Sequence, residues 1–185
     1  METKVANPTA LGLFGFGVTT ILLSLANLGQ LELSIVIIAV AIVLGGFAEI
    51  FAGLFELKLG NTFAGTVFVS FGLFWLSLVL ILLLPELIPT TTQEALNFGL
   101  GVYLLIFALY SLLLFIDTLK SLLTLKVLLL LVLLLFLTLG IFYVSGIGIF
   151  LTLGGIVGVI AGLLGVYMCT GMIINEDWGE EVFKL

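Results

Sequence analysis

The chain is a succession of long apolar runs separated by short polar breaks. Each run is long enough to cross the hydrocarbon core of a bilayer as a helix, which takes about 20 mostly apolar residues. The pattern therefore predicts an all-α fold, a single domain built as a bundle of six transmembrane helices. The predicted spans cover about 11–28, 34–57, 62–84, 95–119, 122–143 and 147–174.

The breaks between the runs carry turn residues or charges, as loops do. They read NLGQLE, KLGN, PELIPTTTQEA, DTLKS and VSGIG. The fourth break is the least marked, because the apolar run hardly stops there and Lys120 and Lys126 alone separate the two helices.

The basic residues predict the orientation of the bundle. All five are lysines, and with six spans every one of them falls on the same side of the membrane: Lys4, Lys58, Lys120, Lys126 and Lys184. The loops on the other side contain Glu32, Glu86 and Glu94 and no lysine. Because lysine and arginine are enriched in cytoplasmic loops, we expect both termini in the cytoplasm.

Composition restricts the class of protein further. The chain is 63% hydrophobic and 9% charged, whereas soluble domains are about 25% charged. It contains no histidine and no basic patch, which argues against histidine-based catalysis, histidine metal sites and nucleic-acid binding. It also lacks the motifs of zinc hydrolases, serine hydrolases and phosphate-binding loops. We expect a multi-pass protein of the cell membrane that is not an enzyme and needs no cofactor or metal.

Glu49 is an acidic residue inside an apolar run. It precedes Lys58 by about nine residues, or roughly 13 Å at 1.5 Å per residue, which places it near the middle of the bilayer. A charged acid there costs about 2.5–3.5 kcal/mol, so it is retained where it faces a polar cavity, has a partner or carries a proton. The alternative is a purely structural role, in which the Glu49 side chain forms a hydrogen bond to a neighbouring helix.

Glu56 lies seven residues after Glu49 on nearly the same helix face. It is close to the predicted cytoplasmic surface and to Lys58, so we expect a solvated pair with that lysine. A role in proton transfer is the alternative for Glu56, as it is for Glu49.

Other residues could form a solute pathway. Helix starts near Asn7 and Asn61 offer free N–H groups and partial positive charge to an anion, although asparagine also caps helices. The aromatic residues Phe14, Phe16, Phe71, Phe74 and Trp75 could form an apolar throat, or could simply face lipid or the core. Glycines at four-residue steps, such as Gly154, Gly158 and Gly162, predict close helix packing.

Several stretches resemble the acetate uptake transporters, also called succinate–acetate permeases. They are NPTALGLFGFGVTTILLSL, GGFAEIFAGLFELKLGNTFAGTVFVSFGLFW, DTLK and INEDWG, and together they cover nearly the whole chain. The resemblance implies a bacterial, archaeal or fungal plasma-membrane protein that carries acetate and related small monocarboxylates or succinate. It also implies a homo-hexamer with one pore in each subunit, working as a proton-coupled symporter or as an anion channel.

The resemblance implies a narrow apolar constriction at Phe16, Phe71 and either Leu131 or Val132. The chain departs from the family at three places: Glu49 replaces a glutamine, Ala64 a glycine and Phe71 a tyrosine. The predicted pathway residues, apart from the proton-linked candidates Glu49 and Glu56, are Asn7, Phe16, Thr20, Asn61, Thr62, Phe71 and Leu131.

Glu49 leads to a mechanistic hypothesis. If ionised it would repel acetate, whereas a protonated Glu49 can donate a hydrogen bond to an anion and provide a route for proton coupling. An ionised Glu49 would instead favour a cation or a neutral solute, and ammonium is the alternative substrate. A membrane scaffold without transport is the alternative from another class.

Overall fold

The computed structural model describes residues 6–87 and 92–185. Lys4 and part of the break before the fourth span lie outside the described residues. All six predicted spans are helices, and the described residues contain no strand. The helices are α1 (Thr9–Asn27), α2 (Ile35–Lys58), α3 (Thr62–Leu87), α4 (Gln93–Asp117), α5 (Leu123–Ser145) and α6 (Gly148–Trp178).

Two helices extend three or four residues beyond their predicted ends. Helix α3 continues past Pro85 to Leu87, although a proline there lacks the N–H that would complete the helical hydrogen bond. Helix α6 continues from the predicted end at 174 to Trp178. Its extra turn ends where Gly179 adopts a left-handed conformation (φ 72°) and donates its N–H to the carbonyl of Asn175.

The middle of α2 is a π-helical segment over Ala41–Ala48, directly before Glu49. The apolar pattern gave no indication of it. Within this segment Gly46 packs on α3 so closely that a Cβ on Gly72 would lie 2.7 Å from the Gly46 carbonyl oxygen. Because π-helical turns are rare and are frequently found at functional sites, the segment marks the region around Glu49 as unusual.

The helices pack as three antiparallel pairs, and in each pair glycines let the two backbones approach. A Cβ on Gly162, for example, would lie 2.7 Å from the carbonyl oxygen of Gly17, closer than any side chain tolerates. The facing glycines are Gly17 and Gly162 of α1 and α6, Gly53 and Gly65 of α2 and α3, and Gly101 and Gly140 of α4 and α5. The predicted close packing of glycine-rich spans is confirmed.

Side chains rather than close backbones connect α3 to α4. Ser70 donates a hydrogen bond to the Tyr110 hydroxyl (3.2 Å), and the hydroxyls of Ser77 and Tyr103 are 2.6 Å apart. Between these two polar links the ring of Phe107 packs against Phe71 and Phe74. The centre of the bundle on this side is therefore filled by aromatic rings.

Candidate functional site

The described part of the bundle contains two cavities lined mainly by α1, α3 and α5. The first, of about 170 Å³, is lined mainly by the later halves of α1, α3 and α5, and we call it the Ser24 cavity after its buried hydroxyl. The second, of about 230 Å³, is lined mainly by the earlier halves of the same helices, and we call it the Glu49 cavity. Because α1, α3 and α5 run in the same direction, the two cavities lie towards opposite ends of the bundle.

Three of the described side chains line both cavities: Phe16 of α1, Phe71 of α3 and Val132 of α5. Each is less than 9% exposed. We call these three residues the constriction, because they separate the cavities. Leu131 is half-buried and lines neither cavity, since one step along a helix turns a side chain by about 100°. Of the two residues that the resemblance suggested for α5, Val132 meets the cavities.

Aromatic packing holds the constriction. The ring of Phe71 lies 5.9 Å from that of Phe136 and 6.0 Å from that of Tyr110, distances typical of stabilising ring pairs. Phe74 and Trp75 line the Ser24 cavity. Phe14, in contrast, is 40% exposed and lines neither cavity, so the alternative of a lipid-facing aromatic applies to it.

Glu49 has no exposed surface and lines the Glu49 cavity. Its Oε1 accepts a hydrogen bond from Trp75 Nε1 at 3.1 Å. Its Oε2 has no hydrogen-bond partner among the described residues. The carboxyl group is therefore bonded to a neighbouring helix through one oxygen, as the structural alternative predicted, and a role in the solute pathway stays a prediction.

Glu56 is buried, with 3% of its surface exposed. Its Oε1 accepts a hydrogen bond from Thr9 Oγ1 (2.5 Å), and its Oε2 accepts one from Asn61 Nδ2 (2.7 Å). The expectation of a solvated pair with Lys58 is wrong, because the carboxylate points inward to the starts of α1 and α3. Glu56 thus joins three helices at one end of the bundle.

The two asparagines at helix starts have different surroundings. Asn7 is exposed, lines neither cavity, and its Oδ1 accepts the N–H of Thr9 (3.0 Å). Asn61 lines the Glu49 cavity while its Oδ1 accepts the N–H of Ala64 (3.2 Å). Helix capping therefore accounts for Asn7. Asn61 caps the start of α3, donates a hydrogen bond to Glu56 and also lines the Glu49 cavity. Thr62 is exposed and lines neither cavity.

Thr20 lines the Ser24 cavity, is 2% exposed, and its hydroxyl has no partner among the described residues. Ser24 and Tyr143 also line that cavity but were not singled out from the sequence. A signal for Ser24 existed, since Phe16, Thr20 and Ser24 recur every four residues and so share one face of α1. Thr9, which lines the Glu49 cavity, carried no comparable signal.

Comparison with known proteins gives consistent matches. The GPR1/FUN34/yaaH family matches residues 1–179. The succinate-acetate/proton symporter SatP of Escherichia coli (strain K12) is 44% identical over 184 residues, covering 100% of this chain and 97% of that protein. The solved structure of the bacterial acetate channel SatP superposes with a TM-score of 0.93 at 43% identity, covering 97% of this chain and 98% of that one.

A more distant relative has a different substrate in its name. Ammonia transport outward protein 2 of Saccharomyces cerevisiae is 41% identical over 123 residues, which cover 64% of this chain and 44% of that protein. The matches to the family and to SatP extend over nearly the whole chain. This chain belongs to the GPR1/FUN34/yaaH family.

Proposed function

We propose that this chain is a membrane transporter or channel for acetate and related small carboxylates. The observation that carries the proposal is the pair of cavities at opposite ends of the bundle, separated by Phe16, Phe71 and Val132. Two cavities that meet at one short apolar barrier form a continuous route once the barrier opens. The names of the E. coli relative and of the solved acetate channel support acetate as the solute.

The cavities suit a small amphiphilic anion. Hydroxyls of Thr20 and Ser24 in one cavity and the amide of Asn61 in the other can donate hydrogen bonds to a carboxylate. The methyl group of acetate can pass the rings of the constriction, whereas a hydrated inorganic ion would lose its water there without compensation. Apolar constrictions act as gates for this reason.

Glu49 is the proton-linked residue in this proposal. A buried carboxylate without a counter-ion is costly, so Glu49 holds a proton while the cavity is empty of cations. Its Oε2, which has no partner among the described residues, can release or take up that proton as the solute passes. Glu56, the second proton-linked candidate, has both oxygens occupied by hydrogen bonds and serves mainly to hold the helix starts together.

The proposal includes a homo-hexamer with one pathway in each subunit. Residues of a single chain line both cavities, so the route needs no side chain from a neighbouring copy. Native mass spectrometry of the protein in mild detergent tests the number of copies. A monomer that transports at full rate would contradict the proposed hexamer but would still agree with a pathway within each subunit.

Uptake of radiolabelled acetate into proteoliposomes tests the proposed function. We expect uptake above that of empty liposomes, and a rise when an inward proton gradient is imposed. Val132→Trp is a matched control, because it fills the constriction and should lower uptake to the background. Uptake that ignores the gradient would indicate a passive anion route and would contradict the role of Glu49.

Ammonium is the second candidate solute, and the unpartnered Oε2 of Glu49 favours it because an ionised carboxylate attracts a cation. The name of the yeast relative points in the same direction. The same vesicles, loaded with a pH-sensitive dye, would report ammonium entry. Ammonium entry without acetate uptake would favour an ammonium transporter over a carboxylate transporter. If neither solute entered, the remaining candidate would be a membrane scaffold without transport.

A further inference from the structure

Glu49 stands in a pathway that, among the described residues, has no basic side chain. Of the described residues, no lysine lines either cavity, and Glu49 is the one acid that does. The other polar side chains of the Glu49 cavity are neutral, namely Thr9 and Asn61. Glu56 lies behind these two residues and adds a second acid, not a cation. Among the described side chains of this cavity, a proton on Glu49 is therefore the one means of offsetting a negative charge.

Glu49 can supply one such proton. Its Oε1 is occupied as an acceptor by the Trp75 N–H, so a proton shared with the solute resides on Oε2. A monocarboxylate brings one charge, which a protonated Oε2 can meet with one charge-assisted hydrogen bond. A dicarboxylate brings a second charge into apolar surroundings, where an unpaired ion is strongly disfavoured.

We propose that Glu49 makes this pathway selective for singly charged carboxylates over dicarboxylates. The inference rests on the proposed function and narrows its substrate class. Selection here is by charge at Glu49, in addition to the selection by size that the constriction imposes. The relative named as a succinate-acetate symporter shows that selection against succinate is not implied by family membership.

The substitution Glu49→Gln separates charge from shape. A glutamine occupies nearly the same volume, and its carbonyl oxygen can still accept the Trp75 N–H. Its amide nitrogen would then present two N–H donors to the cavity, and the side chain can never carry a negative charge. A dianion would meet two donors in place of the single proton that Glu49 offers, so we expect this variant to admit succinate.

The test compares uptake of labelled acetate, succinate and succinamate in proteoliposomes. Succinamate, the half-amide of succinate, has nearly the same size and a single charge, so it separates charge from size. At about pH 7.5 both carboxylates of succinate are ionised, since carboxyl pKa values in water lie near 4. The variants are Glu49→Gln and, as a matched control, Glu94→Gln, an exposed residue that lines neither cavity.

We expect the unmodified protein to take up succinamate at least about tenfold faster than succinate, because the second carboxylate of succinate would enter apolar surroundings without a partner. In Glu49→Gln this ratio should fall to within about threefold of unity, and Glu94→Gln should keep the original ratio. Equal uptake of succinate and succinamate by the unmodified protein would overturn the inference. Acetate uptake in the same experiment would still support the proposed function. If neither the unmodified protein nor Glu49→Gln took up succinate or succinamate, the size of the solute would decide. That result would also overturn the inference.

The unmodified protein also provides a test that does not depend on folding of the variant. Lowering the external pH to about 4.5 converts part of the succinate to the monoanion, since carboxyl groups titrate near this pH. Succinate uptake should then rise relative to succinamate uptake, because succinamate is a monoanion or neutral throughout. An unchanged ratio would contradict selection by charge. If acetate itself is not taken up, the proposed function fails, and this inference fails with it.

Discussion

Val132 is the smallest of the three side chains in the constriction, whereas its neighbour Leu131 lines neither cavity. Val132→Ala removes two methyl groups from the barrier, so we expect uptake of propionate and butyrate to rise by roughly tenfold relative to acetate, the effect of about one methylene in a pocket. Uptake of the three labelled acids into proteoliposomes measures this change.

Leu131→Ala is the control for that substitution, because it removes more side chain from the adjacent position without touching either cavity. It should leave the ratio of the three acids unchanged. If Leu131→Ala widened the substrate range and Val132→Ala did not, the constriction would have been assigned to the wrong face of α5.

The junction around Glu56 connects the start of α1, the end of α2 and the start of α3. Thr9→Val keeps the shape of the side chain but removes the hydroxyl that donates to Glu56 Oε1. Since loss of a partner for a buried polar atom costs about 1–3 kcal/mol, the apparent melting temperature in detergent should fall by several degrees. Circular dichroism during heating measures it.

Thr62→Val makes the same chemical change at the start of α3, where the threonine is exposed and lines neither cavity. This variant should have the same apparent melting temperature as the unmodified protein. Equal destabilisation by the two substitutions would mean that Thr9 acts through its helix position and that its bond to Glu56 contributes little.

Close contact between α1 and α6 depends on glycine. In Gly162→Ala the new methyl group would lie 2.7 Å from the Gly17 carbonyl oxygen, so the helices must separate and the protein should lose about 1–3 kcal/mol of stability. Gly99→Ala is the control on α4, because a Cβ there meets open space. It should be neutral or stabilising by about 0.5–1 kcal/mol through helix propensity, and thermal unfolding in detergent distinguishes the two outcomes.

The orientation of the whole bundle remains a prediction from the lysines. Cys169 is buried, so single cysteines placed on the surface report on accessibility with little background. We expect a membrane-impermeant thiol reagent to label Glu94→Cys in intact cells and to label Ser121→Cys only after the membrane is opened. The reverse pattern would place both termini outside and contradict the positive-inside interpretation.

Six spans were predictable because the bilayer imposes a simple requirement on each helix. About 20 consecutive apolar residues are needed whatever the neighbours are, so the runs are visible without knowledge of the packing. The helix ends were less predictable. The last turn of α6 contains Asn175 and Asp177, which are polar, and it persists because Gly179 can adopt the left-handed conformation that caps it.

The site was predictable in part. A buried acid such as Glu49 is conspicuous in an apolar run, and the family resemblance indicated Phe16 and Phe71. The pairing of Glu56 with Thr9 joins residues 47 positions apart, so no local pattern could show it. The π-helical segment before Glu49 was equally invisible, because a change from one helix type to another leaves the apolar composition unchanged.

The sequence by itself determined that the chain crosses a membrane six times, that glycine faces bring its helices together, and that Glu49 is the acid near the middle. These features follow from transfer of side chains and backbone from water to lipid, which each segment experiences independently. Only the tertiary structure decided that Val132 rather than Leu131 meets the cavities, and that Glu56 is held by Thr9 and Asn61. Those outcomes depend on the rotation and register of packed helices, which are set by contacts between distant segments.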